Sequence, residues 1–193
     1  MVLNQSDFET LRSQLKASPS GSLILNGQVM ILIPRHFFRY ILREVKAVAG
    51  AEAFRRIFEK AGFDGAVTFC RRFREIYACT PREAIEGYLK EMSLRGWGHF
   101  TILRLEPDAG CLEVLLQNSA LANEENIPSG HLIWEGAMLG AMTFLRECVG
   151  QPLTLRVQSE EIPSQGGPVT GCRIVIGPES IGEHVYGNRP DSL

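Results

Sequence analysis

Along the chain, apolar residues first fall into a clear pattern at residues 22–33, where Leu23-Ile24-Leu25 and Val29-Met30-Ile31-Leu32-Ile33 flank Asn26-Gly27. Asn and Gly tolerate positive φ at the centre of a type I′ turn, so this segment predicts a β-hairpin. Before it, residues 7–15 carry a weak helical pattern, closed by the turn-forming Ala17-Ser18-Pro19-Ser20-Gly21. After Pro34 the apolar spacing lengthens to three and four. Phe38, Ile41, Leu42, Val45 and Val48 are followed by Ala53, Phe54, Ile57, Phe58 and Ala61, then by Ala66, Phe69, Cys70, Phe73, Ile76 and Tyr77. With Gly50 and Gly62 as interruptions, the pattern predicts three amphipathic helices in succession. Thr80-Pro81-Arg82-Glu83 combines an N-cap hydroxyl, proline at N1 and glutamate at N3, so a fourth helix starts there with Ala84, Ile85, Tyr88, Leu89 and Met92 inward.

From Trp97 the period becomes that of strands. Residues 97–105 and 111–116 form a second hairpin around Pro107-Asp108-Ala109-Gly110. Ile133, Gly136, Ala137, Gly140, Ala141, Phe144, Leu145 and Cys148 mark one more helix, whose small residues invite close contact. Residues 153–157 and 172–176 supply the last two strands. The fold class is therefore α/β in the α+β sense, an antiparallel sheet packed against a bundle of helices. One ligand-binding domain is expected over residues 1–177, with residues 178–193 as a loosely held tail.

A chain of 193 residues, 45% hydrophobic and 22% charged, is long enough for a sizeable core. Its net charge of −2 offers no general attraction to phosphate backbones, which argues against nucleic acid as a partner. No apolar run approaches membrane-spanning length, and Met1-Val2-Leu3-Asn4-Gln5 lacks the order of a signal peptide, so a cytoplasmic location without membrane contact is expected. Five scattered cysteines without a CxxC pair argue against a disulfide framework, and most read as buried hydrophobes.

Catalytic signatures are absent: there is no G-x-S-x-G, HExxH, P-loop or G-x-G-x-x-G. His36, His99, His131 and His184 stand far apart, none at ligand spacing from another histidine or a cysteine. His99 is distinguished by its aromatic neighbours Trp97 and Phe100. The remaining signal is ring surface. Core packing explains most of the aromatic residues, and the sharper reading is that some line an apolar cavity with a few placed polar groups. The candidate ligand-binding residues are Phe38, Phe69, Phe73, Tyr77, Trp97, His99, Phe100 and Trp134.

The order of several short motifs adds to this reading. Gly96-Trp97-Gly98, a hairpin, Asn118-Ser119-Ala120-Leu121-Ala122, a helix with Trp134, Gly136 and Gly140, and a strand pair with Glu161 and Cys172 together resemble the 4-vinyl reductase domain family, over about residues 24–177. The resemblance implies the fold of nitric-oxide-signalling and Golgi-transport ligand-binding domains, shared with phenol- and toluene-responsive regulators and Bet3-type transport subunits. It also implies a homodimer with an apolar cavity. Sensory members hold a structural zinc with cysteines and a glutamate. The matching positions here read Glu161, Ser164 and Cys172, with Ile133 where a cysteine is expected, so no metal is expected unless His131 substitutes.

These observations point to a stand-alone small-molecule sensor for an apolar or aromatic ligand, without cofactor or catalytic site. Two alternatives stay open. One is an enzyme or accessory subunit of a catabolic or tetrapyrrole pathway, and the other is an adaptor with a filled core and a protein partner.

Overall fold

The computed structural model describes residues 5–25, 27–121, 131–163 and 169–179. Expectations resting on Asn26, Ala122, Ser164, His184 and the tail from residue 180 lie outside them. The chain opens with α1 (Gln5–Gln14) and three short strands, β1 (Leu15–Ala17), β2 (Leu23–Leu25) and β3 (Gln28–Met30), paired antiparallel in that order. The expected hairpin is β2–β3, closed by the pair Leu25 and Gln28, with Gly27 at φ 71°. Its second arm is shorter than predicted, and residues 31–33 leave the sheet exposed. Strand β1 carries no signal in the sequence. Three residues are too few to show a period, and Leu15 pairs with Leu25 instead of ending the helix.

The region read as three helices is α2 (Arg35–Tyr77), two helical stretches joined across a kink at the expected Gly50, where φ is 79° and ψ 166°. Gly62 does not break it. A Cβ at Gly62 would collide with the Ile133 carbonyl oxygen, so the glycine serves helix packing. The partner is α4 (Leu132–Cys148), which returns the relationship: a Cβ at Gly136 would collide with Glu59 O, and one at Gly140 with Phe63 O. Two helices thus touch backbone to backbone, and α4 is buried on nearly every side.

Between them in sequence, α3 (Pro81–Leu94) starts with the predicted capping box. Thr80 Oγ1 accepts from Glu83 N at 3.2 Å, and Glu83 Oε2 accepts from Thr80 N at 2.8 Å. The main sheet follows the order β4-β5-β7-β6, all antiparallel, from β4 (His99–Glu106), β5 (Cys111–Gln117), β6 (Leu155–Pro163) and β7 (Val169–Pro178). Its inner face, with Leu112, Val114, Leu116, Ile174 and Ile176, packs on α4. Arg146 is a buried guanidinium with four hydrogen bonds to hold it. It donates to Gln151 O and Oε1 and to the carbonyls of Pro107 and Asp108 at 2.6–3.1 Å, tying the β4–β5 turn to the end of α4.

Backbone contact leaves no room for a methyl group. Gly136→Ala is expected to cost at least about 2 kcal/mol in chemical denaturation, since the opposing atom is main chain and cannot swing away. Gly65→Ala, in the same α2 but facing open space, is expected to gain about 0.5–1 kcal/mol. Equal effects at the two positions would refute the close-contact account.

Candidate functional site: an apolar pocket at Trp97

The turn from α3 into β4 is built around Trp97. Gly96 takes φ 82° just past the helix, the left-handed conformation in which helices commonly end. Gly98 takes φ 142°, and a Cβ there would stand 2.5 Å from Leu116 Cδ1 and 3.0 Å from Gln117 O. Both glycines of the motif are thus required by geometry. Trp97 N donates to Met92 O at 3.2 Å, and Trp97 O accepts from Ala120 N at 2.8 Å. The second bond brings in the Asn118-Ser119 element. Asn118 turns the chain at φ 50°, and Ser119 Oγ accepts from Leu121 N at 3.2 Å. Arg35, opening α2, donates from Nε to Ala120 O at 2.6 Å.

These ties frame a partly open pocket of about 640 Å³ between α1, the small sheet, the start of α2 and the Trp97 turn. That volume is in the range of small-molecule sites. Its wall is mainly aliphatic, with Leu15, Leu23, Leu25 and Met30 from the strands and Phe38 and Trp97 as the rings. Two charged residues line it, Arg35 and Arg95.

Of the residues singled out from the sequence, the structure brings Phe38 and Trp97 to this pocket. Behind them runs a chain of edge-to-face rings: Phe38 to Trp97 at 5.5 Å, Trp97 to Trp134 at 5.5 Å and Trp134 to Phe100 at 4.9 Å. Trp134 and Phe100 are each 2% exposed and back the wall without lining it. Phe69, Phe73 and Tyr77 form a separate cluster with Tyr88 between α2 and α3. His99 sits half-buried at the first position of β4, opposite Gln117, and does not line the pocket. The strand residues of the wall were missed in the sequence because they read simply as a hairpin's core face.

At the start of α4 lies the corner where the family resemblance implies a zinc site. Glu161 and Cys172 face each other across β6 and β7, and His131 Nε2 is 4.0 Å from Glu161 Oε1. Glu135 accepts from Ser159 Oγ and stands 3.6 Å from Arg55 Nη1. Among the described residues, no three of His, Cys, Asp and Glu gather closely enough to hold a metal ion. Burial pushes the Cys172 thiol up to about 12, helped by the negative charges of Glu135 and Glu161, so it is no ready thiolate. Burial also pushes the His131 imidazole below its ordinary value, against the opposing pull of Glu161 and Glu135.

A sequence profile of the family described as "Domain of unknown function (DUF5943)" matches residues 14–103, a stretch that includes most of the pocket wall. No curated protein matches the sequence. Among solved structures, the chain is similar to the phenol-responsive sensory domain of the transcription activator PoxR with phenol, at 20% identity and TM-score 0.70, over 93% of this chain and 92% of that one. It is also similar to an Fe(II) unliganded H-NOX protein mutant from K. algicida, at 12% identity and TM-score 0.51, over 94% and 89%. A trafficking protein particle complex subunit 3 from Naegleria fowleri matches more weakly, at 11% identity and TM-score 0.46, over 75% and 95%. At these identities the likeness gives the fold alone, and the fold is α+β, with helices on an antiparallel sheet as in the PoxR sensory domain and the H-NOX protein.

Proposed function

We propose that this chain is a small-molecule binding and sensory protein that takes an apolar or aromatic ligand into the pocket against Phe38 and Trp97, with no catalytic site of its own. The observation that carries this reading is the pocket itself: about 640 Å³, apolar on nearly all sides, with one tryptophan fixed at its edge by two main-chain hydrogen bonds. A fold shared with a phenol-responsive domain supports it. In this reading Trp134 and Phe100 stiffen the wall from behind, while Phe69, Phe73, Tyr77 and His99 contribute at most indirectly. The order of the Gly96-Trp97-Gly98, Asn118-Ser119 and Trp134 motifs supports kinship with the 4-vinyl reductase domain family. Apolar side chains left exposed at Val29, Ile31, Leu32 and Phe37 support a homodimer. No helix among the described residues is long and apolar enough to cross a membrane.

Native mass spectrometry of protein purified without added ligand is expected to show bound mass. Phenol or phenylbutanol is expected to raise the melting temperature, because a ligand that binds only the native state must do so. Trp97→Ala should weaken binding by about tenfold, from the lost ring surface. Wild-type protein with neither bound mass nor a thermal response to these probes would leave a filled-core adaptor as the better description.

We further infer that the His131–Glu161–Cys172 corner works without metal, as a buried neutral imidazole beside the strand pair. Its pKa is lowered in the folded state, so the unfolded chain takes up the proton first. The stabilisation is complete above the ordinary histidine value of about 6.5 and is lost as pH falls from there through the lower folded value. Wild-type melting temperature should therefore drop between about pH 7 and pH 5 more than that of His131→Gln. A chelator should leave both unchanged, and a chelator-dependent melt would refute the metal-free reading.

A further inference from the structure

The cavity bears a charge that the apolar reading leaves unexplained. Arg95, just past α3, is 13% exposed in its side chain and lines the pocket. Its Nε and Nη2 are cut off from water and have no hydrogen-bond partner among the described residues. Glu91 Oε2 stands 3.3 Å from Nη2 as an ion pair, and the guanidinium lies 5.4 Å over the Phe69 ring. Arg146 shows what this fold does with a guanidinium it buries for structure: it supplies four carbonyl or amide acceptors. Arg95 receives none at these two nitrogens. A buried cation with unsatisfied N–H groups costs stability, and such a group in a native protein calls for a further partner. The other charged residue lining the pocket, Arg35, has the same sign, and no acidic side chain lines the pocket among the described residues.

We propose that the pocket recognises an apolar monocarboxylate, its hydrocarbon body against the leucine, methionine, Phe38 and Trp97 wall and its carboxylate on Arg95. The inference rests on the pocket reading above and narrows its ligand class. Nε and Nη2 form one edge of the guanidinium fork, the edge that accepts a carboxylate through two parallel N–H···O bonds. One carboxylate suffices, because Glu91 already balances part of the charge.

Transfer of a carboxylate from water into an apolar cavity is unfavourable unless a cation meets it, so a matched acid and alcohol separate the possibilities in sign. Isothermal titration calorimetry of the full chain at neutral pH with phenylbutyrate and phenylbutanol is the test. The acid is expected to bind about tenfold tighter than the alcohol, the scale of one charge-assisted pair. In Arg95→Gln the ratio should fall to about one or reverse. Because that change leaves Glu91 buried beside a neutral partner, the Glu91→Gln/Arg95→Gln double variant provides the same readout if the single variant does not fold. Equal or tighter binding of the alcohol by wild type, or an acid preference that survives in the double variant, overturns the carboxylate assignment and leaves the pocket reading standing. Failure of wild type to bind either compound overturns both.

Discussion

The fold depends on one contact, the main-chain approach of α2 and α4. Gly62, Gly136 and Gly140 remove the side chains that would hold the two helices apart, and carbonyl oxygens of Ile133, Glu59 and Phe63 occupy the space. With α4 drawn this close to α2, its other face meets the sheet, and Leu112, Val114, Leu116, Ile174 and Ile176 close over it. Trp134 is part of the same geometry. It leaves α4 near the contact and ends against Trp97, so the position of the pocket's main ring follows from how tightly the helices are drawn together.

What the sequence disclosed and what it hid divide along physical lines. Signals that act within a few residues were legible: the capping box at Thr80 and Glu83, the hairpin turning at Gly27, and the switch to strand period after Trp97 all recur in the structure. Glycine was the weak point, since one letter serves opposite ends. Gly50 does leave the helical region, whereas Gly62 stays helical to admit another backbone, and only the three-dimensional neighbour distinguishes them.

The site was legible in part for a similar reason. Trp97 and Phe38 stand out as rings, but ring content alone cannot separate a wall from its backing, and Phe100 and Trp134 prove to be backing. The aliphatic half of the wall comes from β1, β2 and β3, where alternation reports only that one face is covered. Arg95 carried no signal at all. With Glu91 four residues earlier it has the spacing of an ordinary solvated helix pair, yet both side chains are largely buried.

The break at Gly50 separates two kinds of selection on the chain. Residues before it, through Leu15, Leu25, Met30 and Phe38, contribute to the chamber that the Trp97 turn completes, while the α2 residues after it, Glu59, Gly62 and Phe63 among them, are locked against α4. Substitutions on the earlier side can reshape what fits inside without loosening the helix clamp. Recognition can therefore diversify among descendants of this scaffold while the architecture stays recognisable.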